Sequence, residues 1–175
     1  MSTNTFITSD THFNHKNILT YCNRPFRNID EMNTVLIQNW NSVVSENDIV
    51  YHLGDFAFIK RENNDLSYAQ QLKKQIAEFV SLLNGRIILI KGNHDKMSIH
   101  QFDNLGFEEV YNRPIHIGDF ILTHVPQPKV ASNYINIHGH IHNTYIEQFD
   151  KPWYINVSTD VTNYTPVNIT DLSKL

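Results

Sequence analysis

A single cysteine, Cys22, stands among the 175 residues of this chain. One thiol cannot close an intrachain disulfide, and it excludes a thiolate-rich metal site. Basic residues are scarce too: 14 Lys and Arg face 18 Asp and Glu, a net charge of −4 with histidine neutral. Long nucleic acids are usually met by an excess of Lys and Arg, so no extended nucleic-acid surface is expected. That balance still allows a nucleotide or a short strand end. No stretch approaches the ~20 apolar residues of a membrane helix. Met1 to Asp10 hold no basic segment followed by a long apolar run, so no signal peptide is readable. These absences fit a reducing cytoplasm and no membrane partner. Repeats, low-complexity tracts and linkers are missing as well, and the length suits one domain over 1–175.

Histidine is plentiful instead, with 10 copies, several in short patterns with Asp, Asn and Gly. Thr5 to Thr8 reads as a strand that delivers Asp10 and His12 at its end. Ile29, Met32, Leu36, Trp40, Val43 and Val44 recur at helical spacing, as do Leu66, Ala69, Leu72, Ile76, Phe79, Val80 and Leu83. Asn84-Gly85 supplies a stop for the second helix. Asp48 to Leu53 and Arg86 to Lys91 read as strands broken by Gly54-Asp55 and Gly92-Asn93. Further on, Ile115 to Ile117 and Phe120 to Thr123 flank Gly118-Asp119, a two-residue hairpin signal. Tyr134 to His138 and Tyr154 to Val157 are further short strands. Strand and helix alternate early, and strands dominate later. This predicts an α/β fold, a four-layer α/β/β/α sandwich of two mixed sheets flanked by helices. Only Asn63 to Ser67 and Pro126 to Asn133 remain as sizeable loops, too little for a cap, so an open groove is expected.

Five motifs carry the chemistry: Asp10-Thr11-His12, Gly54-Asp55, Gly92-Asn93-His94-Asp95, Thr123-His124 and Gly139-His140-Ile141-His142. An Asp-x-His alone arises by chance about 0.6 times in such a composition, and Gly-His-x-His roughly 0.02 times. All five in order, each just after a strand, form a strong signal. Two dications ~3.5–4 Å apart repel and need a bridging anion. Asp55, central in the order of ligands, is the candidate. Neutral imidazoles add ligands without excess negative charge and keep the ions electrophilic. Mixed Asp, Asn and His donors suit Mn, most of all, with Fe, Zn, Ni or Co as further choices. Water shared by two such ions loses its proton readily and can attack phosphorus in line.

With these motifs the chain resembles the calcineurin-like metallophosphoesterases over roughly Thr5 to Val167. It looks closest to small uncapped bacterial and phage members, which often carry stretches similar to Thr11 to Ile18 and Arg24-Pro25-Phe26. The resemblance implies that Asp10, His12, Asp55 and His142 hold one metal. It implies Asp55, Asn93, His124 and His140 for the second, with Asp55 bridging. It further implies that His94 protonates the leaving oxygen or contacts the phosphate, and that Asp95 orients His94. The expected enzyme hydrolyses phosphate esters by in-line attack of a metal-bridging hydroxide. Diesters with nucleotide-like arms are favoured: a nucleotide, a cyclic nucleotide or a nucleic-acid end. Phosphomonoesterase activity and a catalytically idle, metal-bound interaction scaffold are the alternatives. One departure is visible: many relatives place an acid where Phe58 stands.

Several residues keep a second reading. His15 serves either the substrate or the surroundings of the metals, and Asn93 is a ligand that also reaches the substrate. Arg24, stiffened by Pro25, either contacts phosphate through its planar fork or is a solvated loop residue. Lys96 reads as a solvated loop residue, and His52, His100, His116 and His138 as structural.

Overall fold

The computed structural model describes residues 3–58 and 65–172. The first half runs β1 (Thr5–Thr8), α1 (Ile18–Tyr21), α2 (Ile29–Val43), β2 (Ile49–His52), α3 (Tyr68–Ser81), β3 (Arg86–Ile90) and β4 (Glu109–Tyr111). The second half runs β5 (Ile115–Ile117), β6 (Phe120–Thr123), β7 (Ile135–His138), β8 (Tyr154–Asn156), β9 (Val167–Asn168) and α4 (Ile169–Leu172). Two mixed sheets result. One has the order β4-β3-β2-β1-β9, with β9 antiparallel to β1 and the other pairs parallel. The second has the order β5-β6-β7-β8, with only the β5–β6 pair antiparallel. That pair is the hairpin expected around Gly118-Asp119.

Side chains alternate across a strand, so each sheet sorts its apolar residues to two faces. Ile7, Leu53 and Ile90 meet Leu122, Ile137 and Val157 between the sheets. Phe6, Val50, Ile87 and Leu89 turn the other way, onto Met32, Leu36 and Trp40 of α2 and Ile76 and Val80 of α3. These helix residues recur every four positions, which puts them on one stripe. The Asn28 side chain caps α2 by accepting from the Glu31 backbone at 2.9 Å. A capping box between Ser67 and Gln70 starts α3. Helix α3 therefore begins at Tyr68, and Leu66 before it is exposed. The expected loop from Asn63 lies partly outside the described residues, which resume at Asp65. On the four-stranded sheet, Phe149, in a 3-10 turn, meets the rings of His138 and Tyr154. No described helix is long and apolar enough to cross a membrane.

Register brings the motifs together. Thr8 pairs with His52 and His52 with Leu89, so β1, β2 and β3 end side by side. Thr123 pairs with His138 and His138 with Asn156, so β6, β7 and β8 do likewise. A parallel bridge between Ser9 and Ser158 joins these two edges. Six parallel strand ends from two sheets thus open onto one place.

Candidate metal centre

The loops leaving those strand ends are bent sharply. Asp10 (φ 59°), His12 (φ 50°), Asp55 (φ 55°), His140 (φ 70°) and His142 (φ 50°) all adopt left-handed backbone. Each such non-glycine residue costs on the order of 1–3 kcal/mol and persists where its surroundings over-determine it. The loops are in fact laced together. Asp10 N–H donates to Gly54 O and His12 N–H to Asp55 O, both at 3.0 Å. Gly92 and Gly139 permit the closest approaches. A Cβ on Gly92 would collide with the Asp55 carboxylate, and one on Gly139 with the Ser9 side chain and the Asp10 carboxylate.

Asp10, His12 and His142 bring one ligand atom each within 4.8 Å of one another, and so do Asp10, Asp55 and His124. Asp10 is common to both groups, and Asp55 Oδ2 reaches a nitrogen of each, 3.6 Å from His12 Nε2 and 3.5 Å from His124 Nε2. His124 Nε2 is 2.9 Å from Asn93 Oδ1 and 3.2 Å from His140 Nδ1. His142 Nε2 is 3.8 Å from Asp10 Oδ1. Several of these separations are too long for hydrogen bonds. They lie a few tenths of an ångström beyond the edges of a coordination polyhedron, which bonds of ~2.1 Å at tetrahedral or octahedral angles set at roughly 3.0–3.4 Å. Asp10 Oδ1 and His12 Nε2 are buried without a hydrogen-bond partner. His124 adds a further test. Its Nδ1 lies 2.8 Å from Leu53 O, a carbonyl that can only accept, so Nδ1 carries the proton. Nε2 then presents a lone pair toward the Asn93 oxygen, an arrangement that a cation relieves. The donor set fits a divalent metal. Cys22, His142 and Asp160 also converge within 4.8 Å, but there His142 and Asp160 bond each other.

Protonation follows from burial. His12 is held well below an ordinary imidazole by desolvation, then by His142, Arg24, His15 and His94. His140 is lowered by burial and by His124. Neutral rings keep lone pairs for a cation. Desolvation raises the Asp55 carboxyl to about 6, against the hydrogen bond from His94 N–H and with the charge of Asp10 adding. His142 goes the other way. Burial lowers it, but the hydrogen bond to Asp160, the Cys22 contact and the charges of Asp10 and Asp160 lift it to about 10.

Two expected roles are corrected by the geometry. Arg24 is buried with every N–H engaged. Nε and one terminal nitrogen grip Asp160 at 2.8 and 3.0 Å, and the terminal nitrogens also donate to Asp10 O, Thr11 O, Thr159 Oγ1 and Met32 Sδ. No donor remains for a phosphate, so Arg24 is neither a substrate clamp nor a solvated loop residue. Asp95 does not orient the His94 ring. Its Oδ2 accepts from the backbone N–H of Asp55 and of Gly92, both at 2.8 Å, and its Oδ1 from Phe56 N–H at 3.2 Å. It ties the second and third motif loops together. Burial nevertheless raises its carboxyl to about 6.

His94 donates its backbone N–H to Asp55 Oδ1 at 2.7 Å, and its ring lies 5.5 Å from that of His12. His15 is buried beside the first group, its Nδ1 3.4 Å from His12 Nδ1 and its ring stacked on Phe58 at 4.5 Å. His52 is part of a buried network. Gly54 N–H donates to its Nδ1 at 3.2 Å, and Thr11 Oγ1, which itself donates to Phe56 O at 2.7 Å, meets its Nε2 at 2.9 Å. Desolvation lowers His52 to about 3.

Asp160 escaped the motif reading. Its Oδ2 lies 2.7 Å from His142 Nδ1 while both oxygens hold Arg24. The available signal was positional: Ser158-Thr159-Asp160 follows β8 just as the other motifs follow their strands.

Residues 3–171 match the family model described as calcineurin-like phosphoesterase. An uncharacterized protein of Methanocaldococcus jannaschii is 41% identical over 177 residues, covering 97% of this chain and 89% of its own. The gene 66 protein of Mycobacterium phage L5 is 34% identical over 94 residues, 53% of this chain and 40% of that protein. Among solved structures, a protein of unknown function from Aquifex aeolicus superposes with a TM-score of 0.72 at 26% identity, over 99% of each chain. A Pseudomonas putida nuclease reaches a TM-score of 0.52 at 20% identity, over 79% of this chain and 61% of its own, a likeness of fold alone.

Proposed function

This chain belongs to the calcineurin-like phosphoesterase family and is a metal-dependent phosphoester hydrolase, and from that premise we propose that it is a phosphodiesterase with a two-metal centre. The observation that carries the reading is the position of Asp55 Oδ2, within 3.6 Å of His12 Nε2 and 3.5 Å of His124 Nε2, one nitrogen from each proposed ligand set. Asp10, His12, Asp55 and His142 would hold one ion, and Asp55, Asn93, His124 and His140 the other. An oxygen and nitrogen donor set without thiolate favours Mn, with Fe, Zn, Ni or Co also accommodated. When bound, such a pair polarises phosphoryl oxygens and lowers the proton affinity of a shared water.

The chain's own residues supply the rest. With the ions bound, the Asp55 carboxylate would offset repulsion between them and would tie the two ligand sets together. His94, which belongs to neither ligand group, stands beside His12 and gives its proton to the leaving oxygen. Asp95 holds the Asp55 and Gly92 backbones, and Asp160 fixes His142 through Nδ1. Diesters are preferred because two cavities that share Phe58 lie beside the centre, one lined by His94 and the other by His15, giving each arm a place. A monoester's extra charge gains nothing from Arg24. The test is metal content together with turnover of bis(p-nitrophenyl) phosphate and p-nitrophenyl phosphate across the five metals. Two ions per chain and faster diester cleavage are expected. One ion per chain, or faster monoester cleavage, would refute the reading.

A further inference from the structure

Next to His15 the surface opens into a groove of about 710 Å³, lined among others by Asn14, Lys16, Asn17, Arg27 and Phe58. That volume lies within the range of small-molecule sites. The groove adjoins the metal centre through His15, which lines it and whose Nδ1 is 3.4 Å from Nδ1 of His12. Phe58 is the conspicuous wall. It is 43% exposed, although large apolar side chains are costly to leave in water. It is also rigid. Its N–H donates to Phe13 O at 2.7 Å, and its ring lies nearly parallel to that of His15, 19° off at 4.5 Å. A fixed, exposed aromatic ring binds flat partners without much ordering cost. The groove's charges are Lys16, Arg27 and Asp30, and Arg27 Nε is paired with Glu31 at 3.1 Å, which leaves Lys16 as the groove's unpaired cation among the described residues. Asn17, at the start of α1, is exposed, and its side chain makes no capping bond to the helix, so its amide offers donor and acceptor together.

We propose that this groove is a nucleoside subsite, in which a base packs on Phe58, the Asn17 amide meets the base edge, and Lys16 attracts a flanking phosphate. The assignment rests on the phosphodiesterase reading and narrows it to nucleotide substrates. A lipid or glycerol arm has no flat face for Phe58, and an inorganic anion has no use for the aromatic wall. Stacking on one aromatic ring typically changes affinity by roughly 5- to 150-fold.

Two esters with the same leaving group isolate the nucleoside: the p-nitrophenyl ester of thymidine 5′-monophosphate and methyl p-nitrophenyl phosphate. In the Mn-loaded protein the thymidine ester is expected to show a kcat/KM at least about tenfold higher. Phe58→Ala should cut that ratio by about tenfold, while Phe58→Trp should keep it. Asn17→Ala should lower it by a smaller factor. Equal kcat/KM for the two esters in the wild type, or a ratio unmoved by Phe58→Ala, overturns the subsite. Calorimetry with thymidine 5′-monophosphate against ribose 5-phosphate reads the groove independently of turnover. Preference for the nucleotide that is lost in Phe58→Ala and kept in Phe58→Trp upholds the subsite even if neither ester is cleaved, an outcome that would sink the phosphodiesterase reading alone. Equal binding of the two phosphates overturns the subsite.

Discussion

Replacing Arg24 separates a buried strut from a substrate contact. The guanidinium is enclosed with Asp160, the two side chains 0% and 1% exposed. In Arg24→Ala the Asp160 carboxylate loses its cation, and Asp10 O and Thr11 O lose their donors. Breaking such a buried pair costs roughly 3–5 kcal/mol, a large part of the ~5–15 kcal/mol that holds a domain together. Arg24→Lys keeps the charge, but one ammonium cannot reproduce a fork that serves a carboxylate and two carbonyls at once. With each buried acceptor left unpaired costing ~1–3 kcal/mol, a loss of about 2–4 kcal/mol is expected. Urea unfolding of the metal-free protein reads this directly. At a slope near 2 kcal/mol per molar urea, the Lys midpoint should fall by about 1–2 M and the Ala midpoint further. A cycle with Asp160→Asn should show coupling of about 0.5–3 kcal/mol. At saturating metal, any loss of activity in Arg24→Lys should be the same factor on a monoester and a diester, because the guanidinium touches neither. Wild-type unfolding midpoints, or a selective loss on the monoester, would refute the strut and return Arg24 to the phosphate.

Asp55→Asn should abolish turnover and lower metal content below two per chain, because a neutral amide cannot offset two cations; metal analysis beside activity checks both. His94→Asn should keep the metals yet lose about 10²–10⁴ in rate, with a smaller loss for esters of acidic phenols, and loss of metal would make His94 a ligand. Acid should destabilise the metal-free fold through His52. Its folded value of about 3 lies below the ordinary 6.5, so its contribution is complete above pH 6.5 and is lost as pH falls toward 3. At about 1.36 kcal/mol per unit the loss reaches about 5 kcal/mol at the low end. His52→Gln should flatten that part of the stability profile, and an unchanged profile would remove His52 from the account.

The sequence was legible where one residue type repeats or where a motif follows a strand. Met32, Leu36 and Trp40 announce α2 because burial of one stripe demands that spacing, and the structure buries all three. Strands β4 and β9 went unread because three and two residues carry no period and, unlike β5, neither leads into a two-residue hairpin signal. The ligand motifs were readable because each adjoins its own strand. Arg24 and Asp95 were misread for one reason. The sequence showed that Pro25 restrains Arg24 and that Asp95 adjoins His94, but neither fact fixes where a side chain points. Arg24 turns to Asp160, 136 residues away, and Asp95 turns back to Asp55, 40 residues away. Such partners are set by the docking of loops from different strands, which no local pattern encodes.

The disposition of the buried acids explains why this edge of the fold carries the chemistry. Asp48 accepts from the backbone N–H of Asn4 and Ser45. Asp95 accepts from three backbone N–H groups, and Asp160 is matched by Arg24 and His142. Asp10 Oδ2 accepts from His140 N–H and Ser158 Oγ, and Asp55 Oδ1 from His94 N–H. What remains are Asp10 Oδ1, with no hydrogen-bond partner, and Asp55 Oδ2, whose neighbours are imidazole nitrogens at 3.5 and 3.6 Å. Buried carboxylate oxygens without hydrogen bonds, with the His142 ring no closer to Asp10 Oδ1 than 3.8 Å, are unfavourable unless a metal cation joins them. Asp95 and Asp160 keep the surrounding loops from relaxing to relieve that cost: one ties the Asp55 and Gly92 loops, the other ties His142 to Arg24. Site atoms drawn from six strand ends stay in place only if the loops are bound to each other. On this reasoning Asp95→Asn, which turns one acceptor into a donor facing backbone N–H groups, should disorder Asp55 and weaken metal binding without removing a ligand. Titration of Mn into the Asp95→Asn protein should show weakened affinity, and wild-type affinity would mean that the ligands hold their own geometry.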